Sequence, residues 1–152
     1  MIGSEGNHLI DILLVEDNPG DARLIREVFR EAAVNSRISL AEDGQEALDF
    51  LRKQAPFQLA VRPELVLLDI NLPKKNGLEV LSEIKADSAL RRIPVVILSS
   101  SDSEQDILKG YALHANAYIT KPASLDQFAQ VVRSIQDFWL EIARLPGDGS
   151  LN

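Results

Sequence analysis

The sequence predicts an α/β protein whose parallel sheet is covered by helices on both faces. Short apolar runs alternate along the chain with longer segments whose apolar residues recur at helical spacing. The run Leu65-Val66-Leu67-Leu68 contains no polar residue, as expected of a strand that is buried on both faces. It leads directly into Asp69, and open α/β sheets carry their functional residues at this carboxyl edge. Asp69 is therefore the first candidate for a functional residue.

The first half of the chain contains two predicted strand–helix units. Ile10–Val15 is the first strand, and Asn18-Pro19-Gly20-Asp21 begins a helix, because asparagine is a good cap and proline suits the first turn. Residues 37–41 form the second strand. Asp43 opens the second helix with Glu46 three residues later, the spacing of two side chains that cap a helix together.

A longer connection over residues 53–64 precedes the second half, which contains three further units. The remaining strands cover residues 65–69, 94–98 and 117–120, and the helices after them begin at Asn76, Ser103 and Ser124. The last helix continues to about residue 143. Right-handed crossovers leave few topologies for such a chain. We expect a flavodoxin-like (βα)5, doubly wound, five-stranded parallel sheet with strand order 2-1-3-4-5.

Composition narrows the function classes. The 152 residues predict a flexible N-terminus over 1–9, one folded domain over 10–145 and a flexible tail over 146–152. A net charge of −7 argues against nucleic-acid binding, and the absence of cysteine excludes disulfides and thiolate metal sites. We see neither a signal peptide nor a membrane span, so we expect a cytoplasmic protein without membrane contact.

Polar residues follow four of the predicted strands, and the strand order brings these strand ends together. They are Glu16 and Asp17, Asp69, Ser99 and Lys121. Because neighbouring carboxylates repel one another, a bound cation would stabilise the cluster. Hard oxygen ligands favour Mg²⁺, with Mn²⁺ as the alternative.

A Mg²⁺ site of this kind suits phosphoryl transfer. A carboxylate can act as the nucleophile, and Asp69 is the best candidate because it stands alone at the end of the central strand. Lys121 would place positive charge on the transferring oxygens, and the Ser99 hydroxyl would donate a hydrogen bond to them. The adjacent pair Glu16 and Asp17 is more typical of metal ligands.

The same residues resemble the receiver domain of two-component response regulators. The motifs are Val15-Glu16-Asp17-Asn18, Leu68-Asp69-Ile70-Asn71-Leu72-Pro73 with Gly77, Ser99-Ser100, and Tyr118 with Lys121-Pro122. The resemblance covers about residues 10–142, so the domain over 10–145 would be a receiver domain. It implies that Asp69 accepts a phosphoryl group from a histidine kinase. It further implies that Glu16, Asp17, Asp69 and the carbonyl of Asn71 bind Mg²⁺, that Ser99 and Tyr118 form a switch pair, and that a cis bond precedes Pro122.

The chain is similar, more narrowly, to the small single-domain response regulators of bacterial and cyanobacterial phytochromes. The shared features are the Glu-Asp-Asn-Pro-x-Asp opening, the longer connection before the third strand and the serine-rich turn after the fourth. This similarity implies a phytochrome-type light sensor as the kinase. Two positions depart from the commoner receiver pattern. Glu16 stands where many relatives carry aspartate, and Ser99 replaces a more frequent threonine.

The last helix carries two apolar lines. One line is predicted to cover the sheet: Leu125, Phe128, Val132, Ile135, Trp139 and Ile142. A second line, Val131, Phe138 and Leu145, either folds back on the domain or forms a partner surface. Because receiver domains often pair through the last two helices and the fifth strand, we favour a homodimer. Few residues follow this helix, so we expect no output domain and a signal that leaves through protein contacts.

Two other function classes remain open. A Mg²⁺-dependent phosphatase also uses an aspartate after a strand, but it usually needs a second acid two residues later, where this chain has Asn71. A phosphorylation-independent adaptor would keep the receiver fold alone, although the complete set of acids argues against it. We expect Asp69 to be a phosphoacceptor that assists its own phosphorylation and dephosphorylation, and not an enzyme acting on other substrates.

Overall fold

The computed structural model describes residues 9–32 and 35–146. The parallel strands are β1 Ile10–Val15, β2 Ser36–Ala41, β3 Leu65–Leu68, β4 Val95–Ser99 and β5 Ala117–Thr120. All five predicted strands are thus present, with bounds that differ from the prediction by at most one residue at either end. The predicted flexible ends, 1–9 and 146–152, lie almost entirely outside the described residues, and their flexibility stays a prediction.

Five helices alternate with the strands, and each begins where its capping residue predicts. They are α1 Pro19–Arg30, α2 Gly44–Leu51, α3 Gly77–Ala86, α4 Glu104–Ala112 and α5 Leu125–Gln136. In every one, the capping side chain accepts a hydrogen bond from the backbone N–H three residues later. Within the described residues, no helix is both long and apolar enough to cross a membrane.

The sheet has the predicted order, β2-β1-β3-β4-β5, with every neighbouring pair parallel. The flavodoxin-like topology is therefore confirmed. Val15 of β1 is level with Leu68 of β3, and Leu68 is level with Ile97 of β4. Because the strands run in the same direction and in this register, the residues that follow β1 and β3 emerge side by side.

Two apolar layers enclose the sheet, and β3 is buried along its whole length. Leu48 of α2 and Leu81 of α3 belong to the layer on one face, while Ile25 of α1 and Val132 of α5 belong to the layer on the other. This arrangement explains why β3 contains no polar residue, since any side chain on it meets one of the two layers.

The last helix departs from the predicted spacing after Gln136, where a π-helical segment, Asp137–Ile142, follows α5. Phe128, Val132 and Ile135 face the core as predicted, but Leu125 and Ile142 are exposed, and Leu140 is buried instead. A π-helical turn contains more residues than an α-helical turn, so it rotates every later side chain away from the 3.6-residue pattern. The π-helical turn explains the error at Ile142, whereas Leu125 lies before it, in the exposed first turn of α5. The predicted covering line was wrong at both ends, for different reasons.

Replacing Gly77 with alanine tests how closely α3 packs against Asp69. A Cβ here would overlap the backbone oxygen of Asp69 and lie 2.7 Å from the Cα of Ile70, which only a backbone shift can relieve. We expect Gly77→Ala to lower the free energy of unfolding by about 3 kcal/mol in urea titrations. Gly20→Ala is the control, because its Cβ would meet a side-chain atom, Asn18 Oδ1, at 3.3 Å, which a shift of a few tenths of an ångström relieves. Equal losses in the two variants would contradict this packing.

Candidate functional site

The carboxyl edge of the sheet brings together the residues that follow β1, β3, β4 and β5. Glu16 and Asp69 are buried, as is Ser99 at the end of β4, whereas Asp17 is exposed. Backbone hydrogen bonds fix their positions: the N–H of Asp69 donates to Val15, and the N–H of Lys121 donates to the carbonyl of Ser99. The sequence prediction that these residues converge is supported by this geometry.

Three of the acids form a cluster suited to a cation. Glu16, Asp17 and Asp69 each offer a carboxylate oxygen, and these oxygens lie within 4.8 Å of one another. An all-oxygen set with one exposed member fits a hard divalent ion that keeps some water ligands. Asn71, two residues after Asp69, donates its backbone N–H to Asp69 Oδ1 at 3.3 Å. That contact holds the carboxylate in place from the side of the β3–α3 loop.

The ammonium group of Lys121 contacts three carboxylates. Its Nζ lies 2.6 Å from Glu16 Oε1, 2.9 Å from Asp21 Oδ2 and 3.3 Å from Asp69 Oδ2. Besides the predicted neighbours Glu16 and Asp69, Lys121 contacts Asp21, which the sequence analysis used in the start of α1 and in the Glu-Asp-Asn-Pro-x-Asp opening but not as a site residue. A search of strand ends could not find it. The first turn of the helix after β1 faces the same edge of the sheet. A search that included the first turns of the helices as well as the strand ends would have found Asp21.

Burial of these charges shifts their proton affinities. Burial raises the pKa of the Glu16 carboxyl to about 7, although the hydrogen bond from Lys121 opposes the shift. Burial alone would lower the pKa of Lys121, but its hydrogen bonds to Glu16 and Asp21 outweigh burial and hold the pKa above its ordinary value. The ammonium therefore stays charged, while the Glu16 carboxyl, with a pKa of about 7, is partly protonated near neutral pH.

Ser99 and Tyr118 are connected through a third residue, Ser101, to which both of them form a hydrogen bond. The Ser99 Oγ accepts a hydrogen bond from the backbone N–H of Ser101 at 3.3 Å, and the Tyr118 hydroxyl donates to the carbonyl of Ser101 at 2.7 Å. Burial raises the pKa of Tyr118 above its ordinary value, so its hydroxyl is a neutral donor.

The Lys121–Pro122 bond is trans, contrary to the expected cis bond. The cis bond among the described residues joins Ala55 and Pro56.

Fold and site together define a doubly wound α/β protein with an acidic cluster that could hold a cation, and a lysine beside it, at the carboxyl edge of its sheet. The protein-family model of the response regulator receiver domain matches residues 12–133 of this sequence. The chain is 43% identical over 145 residues to response regulator Rcp1 of Synechocystis, covering 95% of this chain and 99% of Rcp1. It is also 43% identical over 136 residues to the probable methanogenesis regulatory protein FilR2 of Methanothrix harundinacea, covering 90% of this chain and 87% of FilR2.

Solved structures agree with this match. The phosphorylated cyanobacterial phytochrome response regulator RcpA is 50% identical, with a TM-score of 0.90 over 92% of this chain and 100% of that one. The Mn²⁺-bound form of Rcp1 is 44% identical, with a TM-score of 0.89 over 91% of this chain and 99% of that one. The chain belongs to the response regulator receiver family. The narrower similarity to phytochrome response regulators is confirmed as well.

The raised pKa of Glu16 predicts a pH-dependent stability. A carboxyl with a pKa near 4.5 when unfolded and about 7 when folded binds a proton on folding between these values. The unfolded state then binds fewer protons, so the free energy of unfolding falls as pH rises through this window, by up to about 3 kcal/mol. We expect urea titrations of metal-free protein from pH 4.5 to 7 to detect this fall, and Glu16→Gln to lose that part of it. Parallel profiles for the two proteins would contradict the assignment.

Proposed function

We propose that this protein is a response regulator that accepts a phosphoryl group from a histidine kinase onto Asp69. One observation carries the proposal: the buried Asp69 carboxylate lies 3.3 Å from Lys121 and beside the acid pair Glu16 and Asp17. In the reaction, an Asp69 oxygen attacks phosphorus, an O–P bond forms, and the N–P bond to the kinase histidine breaks. The imidazole leaves with the electron pair of that bond.

The site residues would have two roles: the acids would bind a metal ion, and Lys121 would stabilise negative charge on the phosphoryl group. We propose that Glu16, Asp17 and Asp69, with the main-chain carbonyl of Asn71, hold Mg²⁺ or Mn²⁺. When bound, the ion would neutralise the carboxylates and the phosphoryl oxygens. Lys121 is already charged and buried, so it needs little reorganisation to bind the transferred oxygens. The Mn²⁺-bound Rcp1 structure is a relative in which a divalent ion has been seen.

Ser99 and Tyr118 are the proposed switch pair. A phosphoryl group adds charge and acceptor oxygens beside Ser99, whose hydroxyl would turn toward them and away from Ser101. Tyr118 bonds the same Ser101, so a shift there would change its surroundings as well. Phosphorylation would then bias an equilibrium between two arrangements of the β4–α4 loop and of the surface that carries the last two helices, α4 and α5.

The proposed kinase is a phytochrome-type light sensor. Support comes from the phytochrome response regulator RcpA, which is 50% identical to this chain, and from Rcp1, of which this chain covers 99%. Asp69 would accept one phosphoryl group in each round of signalling, and the protein would not hydrolyse other phosphoesters. A Mg²⁺-dependent phosphatase usually carries a second acid two residues after its aspartate, and this chain has Asn71 there. The adaptor alternative is disfavoured because Glu16, Asp69 and Lys121 remain in mutual contact.

Phosphotransfer to Asp69 is the direct test of this function. We expect purified protein with Mg²⁺ to take up label from a phosphorylated phytochrome kinase or from acetyl phosphate, and Asp69→Asn to reduce the labelling at least about a hundredfold, because the amide is a poor nucleophile. Asp126→Asn, which changes an exposed acid in the first turn of α5, is the matched control. Undiminished labelling of Asp69→Asn would overturn the assignment, and steady hydrolysis of a phosphoester would revive the phosphatase.

We further propose that two copies pair through an apolar groove between β5 and α5. The groove has a volume of about 510 Å³ and is lined by Asn116, Ala117, Ile119, Val131, Ser134, Ile135, Phe138 and Trp139. Phe138 is 49% exposed at its rim although its ring contacts Trp139. Exposed aromatic residues next to an apolar groove are common centres of protein interfaces.

Substitution of Phe138 tests this groove. We expect Phe138→Ser to weaken self-association at least about tenfold, which corresponds to about 1.4 kcal/mol. Sedimentation velocity measures the effect, and fluorescence of Trp139, the single tryptophan of the chain, reports whether the groove itself is covered. Leu59→Ser is the control because Leu59 is 97% exposed in the α2–β3 connection. Equal association of the two variants would exclude the groove as the interface.

A further inference from the structure

Ser101 lies in the loop between β4 and α4 and uses all three of its polar groups. Its backbone N–H donates to Ser99 Oγ at 3.3 Å, and its carbonyl accepts from the Tyr118 hydroxyl at 2.7 Å. Its own hydroxyl donates to Asp106 Oδ2 at 2.5 Å. Asp106 belongs to the first turn of α4. One residue therefore contacts both members of the proposed switch pair and the helix that follows them.

The helix α4 has little apolar packing of its own. Gly110 is its one buried residue, whereas α3 buries four, and Leu108 and Tyr111 are exposed. At Gly110 the helix comes so close to the sheet that an added Cβ would lie 2.9 Å from Ile97 and 3.1 Å from the Tyr118 ring. Since so few apolar contacts hold α4, polar contacts contribute a larger share of what fixes its position.

Tyr118 and Ser101 together supply those polar contacts. The backbone N–H of Tyr118 donates to the hydroxyl of Tyr111, in the last turns of α4, at 3.2 Å. The hydroxyl–carboxylate bond from Ser101 holds the first turn, where Ser103 also caps the backbone N–H of Asp106 at 3.1 Å. A hydroxyl bond to an ionised carboxylate is shorter and stronger than one between neutral groups. At 2.5 Å the Ser101–Asp106 bond is shorter than the 3.1 Å capping bond of Ser103 between the same loop and helix.

We propose that Ser101 is the positioning residue that couples the phosphorylation site to α4. This inference rests on the proposed function of Asp69. When Ser99 turns toward a phosphoryl group, the N–H of Ser101 loses its acceptor and the loop shifts. Because the Ser101 hydroxyl holds Asp106, the first turn of α4 follows the loop. Without that bond the loop moves with a weaker effect on α4, and most of the response of α4 to the state of Asp69 is lost.

A residue that merely stabilises the loop would not alter the response to phosphorylation, and this difference defines the test. Hydrogen exchange of the α4 amides is measured on the full chain, with and without Mg²⁺ and beryllium fluoride as the phosphoryl analogue. We expect Ser101→Ala to bind the analogue with wild-type affinity while the change in α4 exchange falls to less than about a third of the wild-type change. Ser101→Thr keeps the hydroxyl and should restore the response.

Two further variants sharpen the result. Ser100→Ala removes a neighbouring, exposed serine hydroxyl and should respond as the wild type does. Asp106→Ala also removes an acid from the first turn of α4 and has an effect of its own, so the double variant with Ser101→Ala is compared with both single variants. If the two residues act through their shared bond, the second substitution adds little to the loss of response. Purely additive losses would overturn the coupling.

The outcomes separate this inference from the function on which it rests. If Ser101→Ala binds beryllium fluoride and its α4 exchange changes as much as in the wild type, Ser101 does not couple the site to α4, and Asp69 keeps its proposed role. If the wild type itself shows no Mg²⁺-dependent effect of beryllium fluoride, the proposed function of Asp69 is overturned together with the coupling.

Discussion

The contact of the Lys121 ammonium with three carboxylates is the interaction on which the functional edge depends. Burying Glu16 and Asp69 side by side is unfavourable unless a positive charge lies between them, and Lys121 supplies it at 2.6 and 3.3 Å. The lysine follows β5, Glu16 and Asp69 follow β1 and β3, and Asp21 lies in α1. The parallel register of the sheet brings these residues together. A divalent cation bound by the acids would compete with Lys121 for Glu16, and Asp21 gives the lysine a carboxylate that need not bind the metal.

The rest of the fold keeps this electrostatically costly edge in place. Asp69 follows the fully buried strand β3, and Gly77 allows the first turn of α3 to pack directly against the Asp69 peptide. The two apolar layers stabilise the sheet from both faces, so the charged edge need not contribute to stability. Burial raises the pKa of Glu16 to about 7, so the metal-free site is not arranged for maximal stability. Its cluster of three carboxylates, with one exposed member, fits a divalent cation.

Much of this arrangement was predictable because it depends on short-range chemistry. Apolar runs identify strands such as β3 and β4, capping residues such as Asn18 and Ser124 locate the helix starts, and the handedness of crossovers then fixes which strand ends meet. Asp21 was missed because only strand ends were considered. The contacts of Ser101 were missed for another reason: they depend on the conformation of a loop, and no periodic pattern encodes the direction of a hydroxyl group. Leu140 was missed because a π-helical turn breaks the spacing on which the prediction relied.

The second apolar line of the last helix divides between contact with its own domain and exposure at the surface. Leu145 packs against the core layer that contains Ile10, so this part of the second apolar line does fold back on the domain. Phe138 remains exposed beside β5. Trp139 lies between them and lines both the groove near Ile10 and the groove along β5. An α-helical continuation would have kept Trp139 and Ile142 on the line that begins with Phe128. The extra residue turns Leu140 inward instead, and it leaves the aromatic pair Phe138 and Trp139 at the edge of the sheet, where the proposed dimer would form.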